Sequence, residues 1–347
     1  MFGKIVAPLD GSALAAGVIP HVVAMTKITG AQVTLLRVMV REMTTPTAVS
    51  PVEWQLQKTE AQAYLDEMAS RLTQSTATAP ETVLLEGRAA DRIIEFTQQS
   101  NCDLIVLSSH GQSGLHGWNV SSIAQKVIHR VGKSILLIRA YQMATTTQVN
   151  EGEGLRYRRL VVLLDGSPRA EHVLPVAAAL AEAHGAELLL VHVVTRPTML
   201  QRMPLTAEES ALADHLFDRN QTQAHKYFEQ LRQRLHPEPQ THVITGENVP
   251  AALHRFVAQQ EADLVIMSAH GQSGQHQWPY GSLVTGFVDY GATSLLILQD
   301  MAIDVMEPTA AELAAEAIRR QPVRAESGDE PITHQGMQVG DYVASVI

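Results

Sequence analysis

Apolar residues in this chain fall into short runs, each stopped by Gly, Pro, Asp or Ser and each followed by a stretch with helical spacing. In the first half the runs lie at residues 3–9, 32–39, 82–86, 103–108 and 134–139. Between them, helical patterns reach from the Asp10-Gly11-Ser12 turn to about residue 29, and over 52–74, 89–99 and 120–131. The second half repeats the pattern, with apolar runs near 159–164, 187–194, 241–245, 263–268 and 293–298. Runs this short, rich in Val, Ile and Leu and sharply punctuated, read as strands covered on both faces and not as buried helices. Their alternation with helices predicts an α/β fold with parallel sheets. Right-handed crossovers then give each half a doubly wound, five-stranded sheet of order 3-2-1-4-5.

The two halves are copies. Residues 103–118, from Asp103 to Trp118, align with 263–278, from Asp263 to Trp278, at an offset of 160, and ten of these sixteen positions are identical. Asp10-Gly11-Ser12 recurs as Asp165-Gly166-Ser167. One domain is expected over 1–140 and its repeat over 158–300, joined by a polar, Thr-rich linker at 141–157. Residues 301–347 lie outside both copies. This tail holds eight acidic and three basic residues, half of the chain's formal net charge of -10, with a capping-box pattern at Thr309 to Glu312.

Composition narrows the function. With 45% apolar and 18% charged residues the chain can build ordinary cores. Its acidic balance argues against nucleic acid as a partner, because duplex binding rests on basic patches. The single cysteine, Cys102, excludes an intramolecular disulfide and any multi-cysteine metal site. No run of 18 or more apolar residues predicts a membrane span, and Met1-Phe2-Gly3-Lys4 leads straight into a strand without a signal-peptide pattern, so a cytoplasmic protein is expected.

The residues suited to chemistry stand at strand ends. In an open parallel sheet ligands bind beyond the carboxyl ends of the strands where the order reverses, here between strands 1 and 4. Asp10-Gly11-Ser12 and Ser108-Ser109-His110-Gly111-Gln112-Ser113-Gly114 fall there in the first half. Asp165-Gly166-Ser167 and Ser268-Ala269-His270-Gly271-Gln272-Ser273-Gly274 do so in the second. Glycine-rich turns ahead of a helix present unpaired N–H groups that suit phosphate oxygens. Gly132-Lys133-Ser134 only imitates a phosphate-binding loop, since Val127 stands where the earlier glycine is needed and a strand follows instead of a helix. The pairs His110/His116 and His270/His276 have no recurring carboxylate or Cys beside them, so no metal site is assigned. Ser12, Asp10 and His110 lack the Gly-x-Ser-x-Gly elbow of a hydrolase.

These residues resemble the universal stress protein family, and the chain resembles a tandem member. The nucleotide-binding pattern of that family is Gly-x2-Gly-x9-Gly-Ser/Thr after strand 4. The second half reads Ser268-x2-Gly271-x9-Gly281-Ser282, departing at the first glycine. The first half reads Ser108-x2-Gly111-x9-Ser121-Ser122, departing at the first and third. The strand-1 Asp (Asp10, Asp165) and a valine ending strand 2 (Val38, Val193) also match. The resemblance implies that Asp and valine frame an adenosine while the glycine loop and Ser hold phosphates. It implies ATP or AMP, with or without magnesium, bound best in the second half. The third glycine is expected to let the backbone approach the phosphates at positive φ, so Ser121 would weaken or abolish the first site.

A nucleotide-binding stress-response sensor or regulatory module is therefore the leading expectation. The alternatives are a slow ATPase or phosphotransferase, with Asp165 positioning a metal-bound phosphate and His270 as acid or base, and a nucleotide-free interaction scaffold. The apolar last strands, Ser134–Arg139 and Ser294–Leu298, need partners, which predicts an intrachain pseudo-dimer and allows a homodimer of whole chains.

Overall fold

The computed structural model describes residues 2–40, 50–76, 78–112, 114, 120–140, 155–197, 206–271 and 279–300. The first half runs β1 (Lys4–Pro8), α1 (Ala13–Ala16), α2 (Ile19–Thr29), β2 (Gln32–Met39), α3 (Pro51–Ser75), β3 (Glu81–Glu86), α4 (Ala89–Gln99), β4 (Leu104–Ser108), α5 (Ser122–Val131) and β5 (Ser134–Ile138). The second runs β6 (Arg159–Leu163), α6 (Pro168–Glu171), α7 (Leu174–His184), β7 (Glu187–Val194), α8 (Ala207–Arg234), β8 (Gln240–Thr245), α9 (Val249–Gln259), β9 (Leu264–Ser268), α10 (Ser282–Tyr290) and β10 (Ser294–Leu298). The tail from residue 301 and most of the expected linker lie outside the described residues. Among the described residues no helix is long and apolar enough to cross a membrane.

The ten strands of the described residues belong to one sheet, ordered β3-β2-β1-β4-β5-β10-β9-β6-β7-β8. Each half therefore has the order 3-2-1-4-5, but the two five-stranded sheets are fused into one. Pairing within each half is parallel, and the seam between β5 and β10 is antiparallel. At the seam Leu136 faces Leu296, with Leu137 opposite Leu295 and Ile135 opposite Ile297. The join is extended by side chains: Ser294 Oγ accepts from the Arg139 N–H (3.1 Å) and Ser134 Oγ accepts from the Gln299 N–H (3.0 Å).

Alternate strand residues feed opposite faces, as the pleat requires. Ile5, Ala7, Leu35 and Leu190 pack with α2, α3, α7 and α8 on one face. Val6, Leu36, Ile105 and Val161 pack with α4, α5, α9 and α10 on the other. Where the sequence pattern suggests one helix up to residue 29, there are two. Pro20 and Pro175 each occupy the first turn of the second helix, and a proline cannot sit beyond the first turn of a continuous helix without colliding with the carbonyl four residues back. Those carbonyls belong to Ala16 and Glu171, the last residues of α1 and α6.

Candidate functional site

In the second half, the ends of β6, β7 and β9 and the start of α10 enclose a cavity of about 570 Å³. Seven of the eight second-half residues singled out from the sequence line it: Asp165, Val193, Ser268, His270, Gly271, Gly281 and Ser282. The eighth, Gly274, lies outside the described residues. A larger cleft of about 1680 Å³ runs beside α2 and α3 to residues 155–158, but it lies mainly along helix flanks and lacks the convergence of strand ends that marks the smaller cavity as the candidate site.

The floor of the cavity is built from turns that consume their own polar groups. Gly166, at φ +82, allows the reversal after Asp165. Asp165 Oδ1 accepts from the Ser167 N–H (2.9 Å) and hydroxyl (2.6 Å), and Ser167 Oγ accepts from Ala170 N–H (3.2 Å) as the cap of α6. The loop after β9 is pinned at its return, where Ala269 donates to Leu298 O and Gly281 to Ala269 O, both at 2.8 Å. The middle glycine of the pattern has a steric cause. A Cβ at Gly271 would collide with the Asp165 carboxylate, and one at Gly111 with that of Asp10. In the first half Asp10 Oδ2 also accepts from Gln112 N–H (2.7 Å), so the strand-1 Asp ties the two loops of the switch point together.

The third glycine is not what the sequence suggested. Gly281 has φ -70 and caps α10 without a side chain. Its counterpart Ser121 has φ -57 and caps α5, its Oγ accepting from Ala124 N–H (3.3 Å). Neither backbone is in the left-handed region, and a Cβ at Gly281 would meet only Ala269 O at 3.4 Å, an ordinary contact. Positive φ belongs instead to Gly114, at +72, whose N–H donates to Gly111 O (2.8 Å). The first glycine is likewise dispensable to the backbone, since Ser108 and Ser268 end strands β4 and β9. Their hydroxyls are buried and without a protein hydrogen bond in either half. A buried hydroxyl with no partner is costly, and Ser268 stands in the cavity wall, where a bound polar group would satisfy it.

The imidazoles next to the middle glycine are held differently. In the first half His110 Nδ1 shares a 2.9 Å hydrogen bond with Ser109 Oγ, which also accepts from the Ala140 N–H. In the second half His270 Nδ1 donates to Asp300 Oδ1 (2.8 Å), and Asp300 Oδ2 lies 3.4 Å from Arg169 Nε. His270 and Asp300 are 1% and 5% exposed, so the carboxylate has exchanged water for two cation-capable partners. Asp300 and Arg169 correspond to Ala140 and Leu14 in the other copy, so no repeat in the sequence marks them.

Two further positions went unmarked. Tyr64 on α3 and Tyr227 on α8 stand at matching places, each within the field of its strand-1 Asp. Burial first, and the Asp10 carboxylate next, push the Tyr64 hydroxyl up to about 12, and Tyr227 is raised in the same direction by burial. The residue before the cavity valine also differs, Arg37 ahead of Val38 and His192 ahead of Val193. The matching Tyr64-Leu65 and Tyr227-Phe228 pairs were the available signal for the tyrosines.

A family model, the universal stress protein family, matches residues 1–139 and again 156–298. A universal stress protein of Methanocaldococcus jannaschii is 28% identical over 145 residues, which cover 40% of this chain and 83% of that protein. Among solved structures, a universal stress protein from Archaeoglobus fulgidus aligns with a TM-score of 0.59 at 17% identity, over 86% of this chain and 98% of its own. A protein of unknown function from Pseudomonas aeruginosa aligns with a TM-score of 0.57 at 13% identity, over 86% and 92%. At these identities the structures are alike in fold.

Proposed function

The chain belongs to the universal stress protein family, twice over, and from that premise we propose that its second half binds an adenine nucleotide and acts as a sensor or regulatory module. The observation that carries this reading is the second-half cavity. It lies at the topological switch point, its volume is that of a small-ligand pocket, and seven residues of one sequence pattern converge on it. Asp165 and Val193 stand on the side where the adenosine would lie. Gly281 and Ser282 open α10, whose first N–H groups and positive dipole end suit phosphate oxygens. Apolar walls from Leu253, Met267 and Val284 suit the base, and the Ser268 hydroxyl offers it or the ribose a hydrogen bond.

His270 supports a second reading, slow hydrolysis of the bound nucleotide. The Asp300 carboxylate holds its Nδ1–H, as a general base would require.

Titration of the full chain with ATP, ADP and adenosine tests the reading. Ser282→Asp is the discriminating variant. An acidic residue in the first turn favours the helix, so the fold is kept, while the added charge faces the phosphates. ATP affinity is expected to fall at least tenfold, with adenosine binding little changed. No ATP binding by the wild type at millimolar nucleotide would remove the proposal, and ADP appearing in the wild-type samples over hours would support the hydrolytic reading.

A further inference from the structure

The described residues of the first-half switch point match those of the second. Asp10 keeps its place against Gly111, Ser121 takes a backbone like that of Gly281, and Ser122 opens α5 as Ser282 opens α10. Loss of glycines is therefore not what separates the two halves. The halves do differ at the residue ahead of the valine that closes the second strand of each, Arg37 against His192.

In the second half this residue is His192, which lines the cavity. Its ring stays at the base of the post-β6 turn, donating through Nδ1 to the Leu164 carbonyl (2.9 Å) and meeting the Phe228 ring edge-on at 6.4 Å, and does not reach as far as Gly166. Gly166 consequently faces open space, with nothing within 4 Å of where a Cβ would lie. In the first half the same strand position holds Arg37, and its longer side chain reaches across. A Cβ at Gly11 would lie 2.8 Å from Arg37 Nη2 and 3.0 Å from Cζ, so the guanidinium rests on the turn that follows Asp10. Its other neighbour is Tyr64, whose ring centre is 5.2 Å from Cζ, a cation over an aromatic face. The Asp10 carboxylate lies near enough to Tyr64 to help burial raise its hydroxyl. Arg37 on β2 thus bridges the turn after β1 and the aromatic face of Tyr64 on α3, at the strand ends of the first half.

Taking the second-half nucleotide site as the premise, we propose that Arg37 is the specificity-determining residue of the first half: its guanidinium occupies the mouth of that site, and the chain accordingly takes one adenine nucleotide and not two. A neutral base entering the first half would have to lift the guanidinium from both the turn and the Tyr64 ring. The half-two residue, His, leaves that space free.

The test is the stoichiometry of magnesium-ATP binding to the full chain, with folding checked by circular dichroism. Wild type is expected to bind one ATP per chain, and Arg37→His and Arg37→Ala to bind two. Adding Ser282→Asp to Arg37→His should return the number to one. Two ATP per wild-type chain, or folded Arg37 variants that still bind one, would overturn the proposal. No binding by wild type but one ATP per Arg37→His chain would remove the second-half reading while leaving Arg37 in its role. No binding by any form would remove both. If neither Arg37 variant folds, photolabelling of the wild type with 8-azido-ATP decides: label confined to peptides of 155–300 supports the closure, and label within 1–140 defeats it.

Discussion

The buried His21, away from the candidate site, has the clearest consequence for stability. His21 on α2 shares a 2.6 Å hydrogen bond with the Tyr157 hydroxyl, and Tyr157 packs edge-on against His184 at the end of α7. Full burial, aided by His184, brings the His21 pKa down to about 3, and burial with the charges of Lys27 and Arg156 lowers that of His184. The His21 imidazole is held neutral in the folded state, and the shift at His184 runs in the same direction. The unfolded chain therefore binds more protons than the folded one between pH 6.5 and about 3. Stability from His21 is complete above pH 6.5 and is lost as pH falls towards 3, at up to about 1.4 kcal/mol per pH unit. Chemical denaturation at pH 7, 5.5 and 4.5 should show that slope. His21→Gln should lower stability at pH 7 yet flatten the slope by about one proton. An unchanged slope would show that His21 titrates normally in the fold.

At the scale of elements, the helix caps decide which departures from the family pattern matter. Gly281 and Ser121 occupy the same cap, and the serine satisfies a first-turn N–H that the glycine leaves to solvent or ligand. Gly281→Ser is therefore expected to add a few tenths of a kcal/mol, about the difference between these residues at an N-cap, and to change ATP affinity by less than about threefold. A tenfold loss would show that the missing side chain, and not the backbone, is what the phosphates need there. The elements themselves were legible in the sequence because buried parallel strands are continuous apolar runs, and every strand appears within a residue or two of its expected place. The α1/α2 and α6/α7 breaks were also written there, in Pro20 and Pro175, but helical spacing alone runs through them. What could not be read was side-chain reach across elements. Arg37 against Gly11, Tyr64 beside Asp10 and Asp300 on His270 join residues far apart in the chain, and no period or motif in one sequence marks such pairs.

For the whole molecule the seam between the halves governs assembly. Leu136 and Leu296 are equivalent positions in the two repeats, separated by the repeat offset, and they face each other. The flanking pairs Leu137–Leu295 and Ile135–Ile297 exchange under the same relation. So do the hydrogen bonds of Ser294 Oγ with Arg139 and of Ser134 Oγ with Gln299. The register is that of a local two-fold, so either strand could meet a second copy of itself in the same register. Two contacts break the symmetry. Arg139 donates through Nη2 to Phe287 O (2.8 Å) and Val288 O (2.7 Å), filling the last carbonyls of α10, and Tyr280 donates to Lys133 O (2.5 Å). Burial lowers the Arg139 pKa to about 10, still well above neutrality, so the guanidinium stays charged against the carbonyl end of the helix dipole. Residues 1–140 alone would present β5 as an apolar edge with its outward N–H and C=O groups unpaired, each costing about 1–3 kcal/mol where water cannot reach it. That half is expected to dimerise through β5 or to precipitate, and the β5 two-fold makes the dimer the favoured outcome. Sedimentation velocity of residues 1–140 at micromolar concentration would decide it: a stable monomer would mean that the seam is not what holds the two repeats together.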